Sequence, residues 1–163
     1  MQKGPTFPRA TDLAIDTATG MVKVHQVDEH GKEKAANERM SLPADLANGL
    51  VSTLLKNMSA DAAQVTVPII VAGAKPHFAD LTIARDGEDH FTVAGTRRVA
   101  TRYLLKAKVR GGAGVVATLL DKQPADYHVW ILAGEAPVFL RQEGPLYIGG
   151  PVWRVELTSP VWP

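Results

Sequence analysis

The stretch 122–163, KQPADYHVWILAGEAPVFLRQEGPLYIGGPVWRVELTSPVWP, decides the fold class. Its short runs of alternating apolar residues are separated by Gly and Pro, a pattern typical of antiparallel strands joined by tight turns. All three tryptophans of the chain lie in this stretch, together with two of its three tyrosines. The stretch therefore predicts a β-rich fold, and it contains no motif that indicates a chemical reaction.

Composition bounds the possibilities further. The chain has 163 residues, of which 45% are apolar and 21% charged, so a single globular β-rich domain spanning 1–163 is expected. The formal net charge is +1, which gives no strong field for nucleic acid or for an anionic membrane. The absence of cysteine excludes disulfides, thiolate metal sites and a cysteine nucleophile.

The N-terminal residues MQKGPTFPRATDLAID lack the apolar core of a signal peptide, and no window has the length of a membrane span. The pairs Gly4-Pro5 and Phe7-Pro8 are typical of loops. We therefore expect the chain to be the C-terminal part of a longer protein. Its first strand would then be an open sheet edge, through which a homodimer can form.

Alternation and turn residues predict a series of further strands. Asp86-Gly87 is predicted to be a hairpin turn, and Gly95-Thr96 a weaker one. The charged segment 32–40 is expected to be an exposed edge or hairpin arm. The predicted strands cover 12–15, 21–27, 65–72, 79–85, 90–94, 99–109, 127–132, 137–141 and 152–158.

One segment, 43–58, has a helical period instead. Leu42, Leu46, Leu50 and Leu54 are spaced four apart, and Ser41 is suited to be the N-cap of this helix. The width of the leucine stripe predicts that Leu50 is buried against the sheet.

The predicted strands also indicate where the core lies. Tyr103 and Leu105 share an apolar face, and both faces of 127–132 are apolar, so that strand should be central. Trp153, Val155 and Leu157 share one face of the last strand. A packed core explains this pattern, and so does an apolar cavity between a curved sheet and the helix. The candidate ligand-binding residues of such a cavity are Leu50, Leu54, Tyr103, Tyr127, Trp130 and Trp153.

Evidence for catalysis is weak. Asp126 and His128 point to one face of a strand, but no nucleophile motif accompanies them, so we predict a structural histidine and no enzyme. The five histidines lack metal-ligand spacing, and the glycines at 111–114 lack the residues of a phosphate loop, so neither metal nor cofactor is expected.

The apolar run 115–120 fits a mobile contact surface or a buried strand equally well. A dense basic stretch is interpreted as a solvated sheet face and not as a nucleic-acid site; it consists of Arg97, Arg98, Arg102, Lys106, Lys108 and Arg110.

The chain also resembles a bacterial protein family of unknown function, with the pattern GKQPxDxHVWILxGEAPxFxxxEGPLYxGGPxWRxELxSPVWP. Here the block begins at Asp121, which stands in place of the family's glycine, and ends at Pro163. LPADLANGLVSTLLKNM and QKGPTFP are similar to that family as well. The resemblance implies an exported or periplasmic protein with a longer, β-rich N-terminus. The pattern is further similar to lipoprotein carriers, in which a half-barrel wraps a helix, and this likeness implies no catalytic residues.

Together these observations predict a mainly β (α+β) fold: a strongly curved antiparallel sheet or half-barrel with one amphipathic helix on its concave face. The leading functional hypothesis is non-catalytic binding of a lipid, another apolar small molecule or a lipidated partner in the bacterial envelope. The alternatives are a structural or interaction module with a filled core, and an enzyme of hydrolase type that uses His128. Tight packing between helix and sheet would favour the filled-core alternative.

Overall fold

The computed structural model describes residues 10–59, 61–93, 95–110, 126–134, 136–145 and 150–157. Predictions that fall on 1–9, 111–125 and 158–163, among them the apolar run 115–120, lie outside the described residues. The described part is mainly β, as predicted. In chain order its elements are β1 (Ala10–Asp16), β2 (Met21–Val27), β3 (Glu33–Arg39), α1 (Val51–Asn57), β4 (Gln64–Ala72), β5 (Pro76–Val93), β6 (Thr96–Val109), β7 (Tyr127–Leu132), β8 (Val138–Pro145) and β9 (Val152–Glu156).

The strands form two antiparallel sheets, whereas the sequence predicted one. The smaller sheet has the order β1-β2-β3, and the larger one is a meander from β4 to β9. Strand β1 contacts β4, and β2 contacts β5. Because every neighbour in both sheets is also the next strand along the chain, each pairing is made through a local connection.

The turn between β1 and β2 is formed by side-chain hydrogen bonds of Asp16 and by a glycine. The Asp16 carboxylate accepts hydrogen bonds from the backbone N–H groups of Ala18 and Thr19. Gly20 follows with a φ of 72°, and a Cβ at this position would lie 2.5 Å from the carbonyl oxygen of Met40. The turn therefore depends on glycine at position 20 both for the backbone angle and for the close approach. The segment 32–40, predicted to be an exposed edge or hairpin arm, contains strand β3.

The predicted hairpin at Asp86-Gly87 is wrong. Strands expected at 79–85 and 90–94 are one strand, β5, which pairs with β6 along a ribbon that turns at Gly95. Arg85 pairs with Tyr103 and Gly87 with Arg102, so Asp86 is the extra residue of a β-bulge. The Asp-Gly pair has turn chemistry, but here the glycine, with a φ of 121°, accommodates a bulge.

The predicted helix 43–58 is also wrong in its extent, because α1 contains only Val51–Asn57. Gly49 has a φ of 76°, which an α-helix cannot accommodate. The residues before it lie along β4 instead: Ala47 N–H donates to the carbonyl of Pro68, 2.9 Å away. The N-cap is Leu50 and not Ser41, and no side chain caps the helix.

The core between α1 and the larger sheet is centred on Leu55, whose exposed fraction is 2%. Leu50 is 52% exposed, so the prediction that Leu50 is buried is wrong. With the helix starting at 51, residues 51, 55 and 58 face the sheet. The buried residues of this core are Leu55, Leu81, Ile83, Tyr103, Leu105, Val129 and Ile131, with Val51 and Met58 packed against them.

Strand β7 is central, as predicted, since it pairs with β6 on one side and β8 on the other. Val129, Trp130 and Ile131 are all buried, although Trp130 points away from its two neighbours. Within the ranges described above, no helix is long and apolar enough to cross a bilayer.

Candidate functional site

The residues predicted to line an apolar cavity do not converge. Tyr103 and Tyr127 belong to the helix-side core, whereas Trp130 lies in a second cluster on the other face of the larger sheet. Leu50 is exposed on the helix, and Leu54 and Trp153 are half-buried. Trp130 is separated from Tyr103 and Tyr127 by the sheet, because neighbouring positions on β7 point to opposite faces. Trp153 pairs with Gly144 and therefore lies on the Tyr127 face.

The helix-side core is filled where the structure describes it. Leu55 belongs to one buried cluster together with side chains of β5, β6 and β7. Tyr127 lies across Gly144 of β8, where a Cβ would collide with the tyrosine ring. Burial raises the pKa of the Tyr127 phenol.

A polar cluster covers Trp130 on the opposite face; we call it the Trp130 layer. Trp130 Nε1 donates to Asp89 Oδ2 at 2.7 Å, and Arg102 Nη1 donates to the same oxygen at 2.7 Å. Arg102 also donates from Nε to Asp86 Oδ2, at 2.9 Å, and from Nη2 to the Asp86 carbonyl, at 2.8 Å. The bulge supplies Asp86, since the extra residue brings its carboxylate to Arg102.

These contacts shift two pKa values in opposite directions. The hydrogen bond from Trp130, followed by the charge of Arg102, lowers the pKa of Asp89. The hydrogen bond to Asp86 raises the pKa of Arg102. Both groups stay charged at neutral pH, so the layer is a set of compensated ion pairs.

The Asp126–His128 pair considered in the sequence does not form. His128 Nε2 lies 3.7 Å from Asp86 Oδ2, and Asp126 Oδ2 lies 3.5 Å from Lys106 Nζ. His128 therefore faces Asp86 of β5, and Asp126 forms an ion pair with Lys106 of β6. The His128 ring lies 6.0 Å from the Trp130 ring, which gives it a place in the Trp130 layer. Among the described residues, no group of three or more His, Asp or Glu side chains is arranged to hold a metal ion.

Three of the six residues of the basic stretch form ion pairs with carboxylates. Arg102 contacts Asp86 and Asp89, Lys106 contacts Asp126, and Arg110 Nε donates to Asp80 Oδ1 at 2.7 Å. These ion pairs support the interpretation of a solvated sheet face.

The charges continue from the Trp130 layer across β8 to β9. The Arg141 guanidinium lies over the rings of Phe91 and Trp130, at 4.7 and 5.5 Å, and its Nε is 2.6 Å from Glu156 Oε1. Arg154 Nε donates to Glu143 Oε1 at 2.8 Å. In the sheet register Arg141 faces Glu156 and Glu143 faces Arg154, so both pairs lie directly across the strands. We call these four residues the β8–β9 charge ladder.

The two outer strands of the larger sheet have different edges. Along β4, the Asn48 side chain bonds both backbone groups of Ile70, at 2.7 and 2.8 Å, and Ala47 bonds the carbonyl of Pro68. Proline also lacks the N–H that a further strand would need, so this edge is closed at Pro68 and Ile70.

Strand β9 is the other end of the sheet, and it presents apolar side chains to solvent. Val152, Val155 and Leu157 are 66%, 46% and 55% exposed. The sequence predicted that Val155 and Leu157 belong to a core face, but β9 lies at the end of the strand order and these side chains are only partly covered. Among the described residues, three of the five exposed large apolar side chains lie in β9 or directly after it.

Sequence reasoning missed the partners that build these features. Asp86 was assigned to a turn, Asp89 fell between two predicted strands, and Asn48 was assigned to the interior of a helix. The signal for Asn48 was Gly49, which interrupts a helical period. The charged residues Arg154 and Glu156 were recognised on one face of the last strand, but the sequence does not reveal which strand pairs with it.

No family model matches the chain, and comparison with curated proteins and with solved structures gave no match either.

Proposed function

We propose that the protein is a non-catalytic interaction module that binds an extended polypeptide segment along the outer edge of β9, which no other described strand covers. The observation that carries this proposal is the contrast between the two ends of the larger sheet: β4 is closed by Asn48 and Pro68, and β9 exposes Val152, Val155 and Leu157. Addition of a strand to a sheet edge is a recurrent mode of peptide recognition, in which backbone hydrogen bonds supply affinity and side chains supply specificity.

The backbone of β9 has the geometry that this mode requires. Leu157 N–H donates to the carbonyl of Leu140, 2.8 Å away, so residue 157 directs its backbone groups towards β8. Backbone direction alternates along an antiparallel strand, and therefore Arg154 and Glu156 direct their N–H and C=O groups away from β8. These groups can pair with an incoming strand.

The β8–β9 charge ladder supports the same proposal. Contacts at 2.6 and 2.8 Å hold the Glu156 and Arg154 side chains against β8. Isolated surface ion pairs add little stability, but two adjacent pairs fix the orientation of both side chains before a partner arrives. A binding edge with ordered side chains loses less conformational entropy on association.

The filled core favours this proposal over the binding of an apolar ligand. A ligand between helix and sheet would have to occupy the space that Leu55 fills. Strong curvature of the sheet, an apolar ligand and an envelope location remain predictions, drawn from the sequence pattern and the family resemblance. His128 would need a substrate-supplied nucleophile or an activated water to act in hydrolysis; its nearest carboxylate contact is Asp86.

Site-specific photo-cross-linking in extracts of the host tests the proposal. A photoreactive amino acid at Val155 should give a discrete cross-linked polypeptide, and the same group at Thr66 on the closed β4 edge should not. The R154P substitution removes one outward N–H and should abolish the Val155 product. The matched control R154A loses the same side chain but keeps the N–H, and should retain the product. Equal labelling from Val155 and Thr66, or no product from Val155, would contradict the proposal.

A further inference from the structure

We infer that the strand bound at β9 is the β9 strand of a second copy of this chain, paired antiparallel about a two-fold axis at Val155. The inference rests on the proposed function, because it uses the same edge, and it adds the identity and the register of the partner. The sequence pattern predicts a dimer contact at the first strand, and the inferred contact lies at the last strand instead. No large apolar side chain of β1 is among the exposed ones in the described residues, whereas β9 and the residue after it have three.

The backbone restricts the register. Only residues 152, 154 and 156 direct backbone groups away from β8, and in an antiparallel ladder the outward groups of one strand must meet those of the other. Three symmetric registers bring the charged residues together, with the two-fold axis at Arg154, at Val155 or at Glu156.

Charge selects one of the three. An axis at Arg154 places that residue opposite itself in the second copy, and an axis at Glu156 does the same with two carboxylates. Like charges directly opposite each other destabilise a strand pair. An axis at Val155 instead places Arg154 opposite Glu156 of the second copy, and by symmetry Glu156 opposite Arg154 of the second copy. The strand is thus self-complementary in this register only.

The β8–β9 charge ladder then continues across the axis. Glu143 and Arg154 of one copy are followed by Glu156 and Arg141 of the other, so that the signs alternate over four strands. Each charge of β9 gains a second neighbour of opposite sign and keeps its contact with β8. Such an extended network stabilises more than its isolated pairs do.

The opposite face of the same register is apolar. Val155 meets Val155 of the second copy, and Trp153 meets Leu157 of the second copy. Val155 and Leu157 are 46% and 55% exposed in the single chain, so this pairing removes apolar surface from water. Both faces of β9 therefore favour the axis at Val155.

Charge reversal tests the register. Sedimentation equilibrium of the whole chain should show a dimer, and R154E and E156R should each raise its dissociation constant about tenfold or more. The R154E copy presents two carboxylates and the E156R copy two guanidinium groups, so an equimolar mixture should restore the dimer as a heterodimer. Wild-type protein that stays monomeric at about 1 mM, single variants that dimerise normally, or a mixture that fails to recover would each overturn the inference.

A cysteine test remains informative if the charge variants do not fold. The chain contains no cysteine, and an axis at Val155 makes residue 155 a non-hydrogen-bonded pair with a Cα separation of about 4.5 Å, which a disulfide can span. Mild oxidation should therefore link V155C into a covalent dimer, whereas V99C, at an exposed position on β6, should stay monomeric. Linkage of V99C but not V155C would overturn the inference.

The two proposals fail differently. Cross-links from Val155 to another polypeptide, with a monomeric wild-type chain, would overturn the second copy as partner and keep the proposed function. No cross-link from Val155 to any polypeptide, including a second copy, would overturn both.

Discussion

At the scale of single residues, the stability of the helix-side core depends on Leu55 and not on the leucine that the sequence singled out. Leu55 is 2% exposed and lies in a buried cluster with residues of three strands, whereas Leu50 is 52% exposed at the start of α1. Both lie in the same leucine-rich segment, so the pair is a matched comparison of buried and exposed positions.

We expect L55A to lower the free energy of unfolding by about 2–5 kcal/mol, because it removes buried methyl groups and leaves a cavity. L50A should change it by less than about 0.5 kcal/mol, as is usual at the surface. Urea denaturation monitored by tryptophan fluorescence measures both. A larger loss for L50A than for L55A would mean that the helix packs in a different orientation.

The Trp130 layer should make stability depend on pH. In the folded state the hydrogen bond from Trp130 and the charge of Arg102 lower the pKa of Asp89. The stabilisation is complete above the unfolded-state pKa of about 3.9 and is lost as pH falls through the lower folded-state pKa. Wild-type protein should therefore exceed D89N in stability at about pH 6, and this difference should shrink towards about pH 2.5.

Urea denaturation at several pH values measures that difference directly. D12N, which removes an exposed carboxylate of β1, is the control and should stay close to wild type throughout. A wild-type advantage over D89N that is constant with pH would show that the Asp89 charge does not stabilise the fold.

At the scale of elements, local patterns predicted the strands better than the connections between them. The bounds of β7 were predicted as 127–132, and the buried face of Tyr103 and Leu105 in β6 is confirmed. Asp86-Gly87 was misread because the same pair serves in a turn or in a bulge, and the choice depends on Arg102 of the next strand. The helix was predicted too long because residues 47–48 form hydrogen bonds with β4, which a helical period does not reveal.

The Asn48 contact makes a prediction at this scale. N48A removes a donor to the Ile70 carbonyl and an acceptor for the Ile70 N–H, so it should lower the free energy of unfolding by about 1–3 kcal/mol. N57A removes an exposed side-chain bond to Thr53 within α1 and should have a smaller effect. Thermal unfolding of the two variants measures this, and equal effects would mean that Asn48 does not hold the β4 edge.

At the scale of the whole molecule, one sheet was predicted and two were found. Alternation along a strand fixes which side chains share a face, but it does not state which strands pair, and that choice depends on contacts distant in sequence. The difference between the two edges of the larger sheet could not be predicted from the sequence either, because it depends on which strands lie at the ends of the strand order. This asymmetry carries the functional account.

Amide hydrogen exchange across a concentration series measures whether a second strand pairs with β9. We expect the Arg154 and Glu156 amides, which point away from β8, to exchange fast in dilute protein and to become protected as concentration rises. The Val155 and Leu157 amides point towards β8, so their exchange should depend much less on concentration. Arg154 and Glu156 amides that are already protected in dilute monomer, or that stay unprotected at every concentration and with every partner captured at Val155, would contradict this pairing.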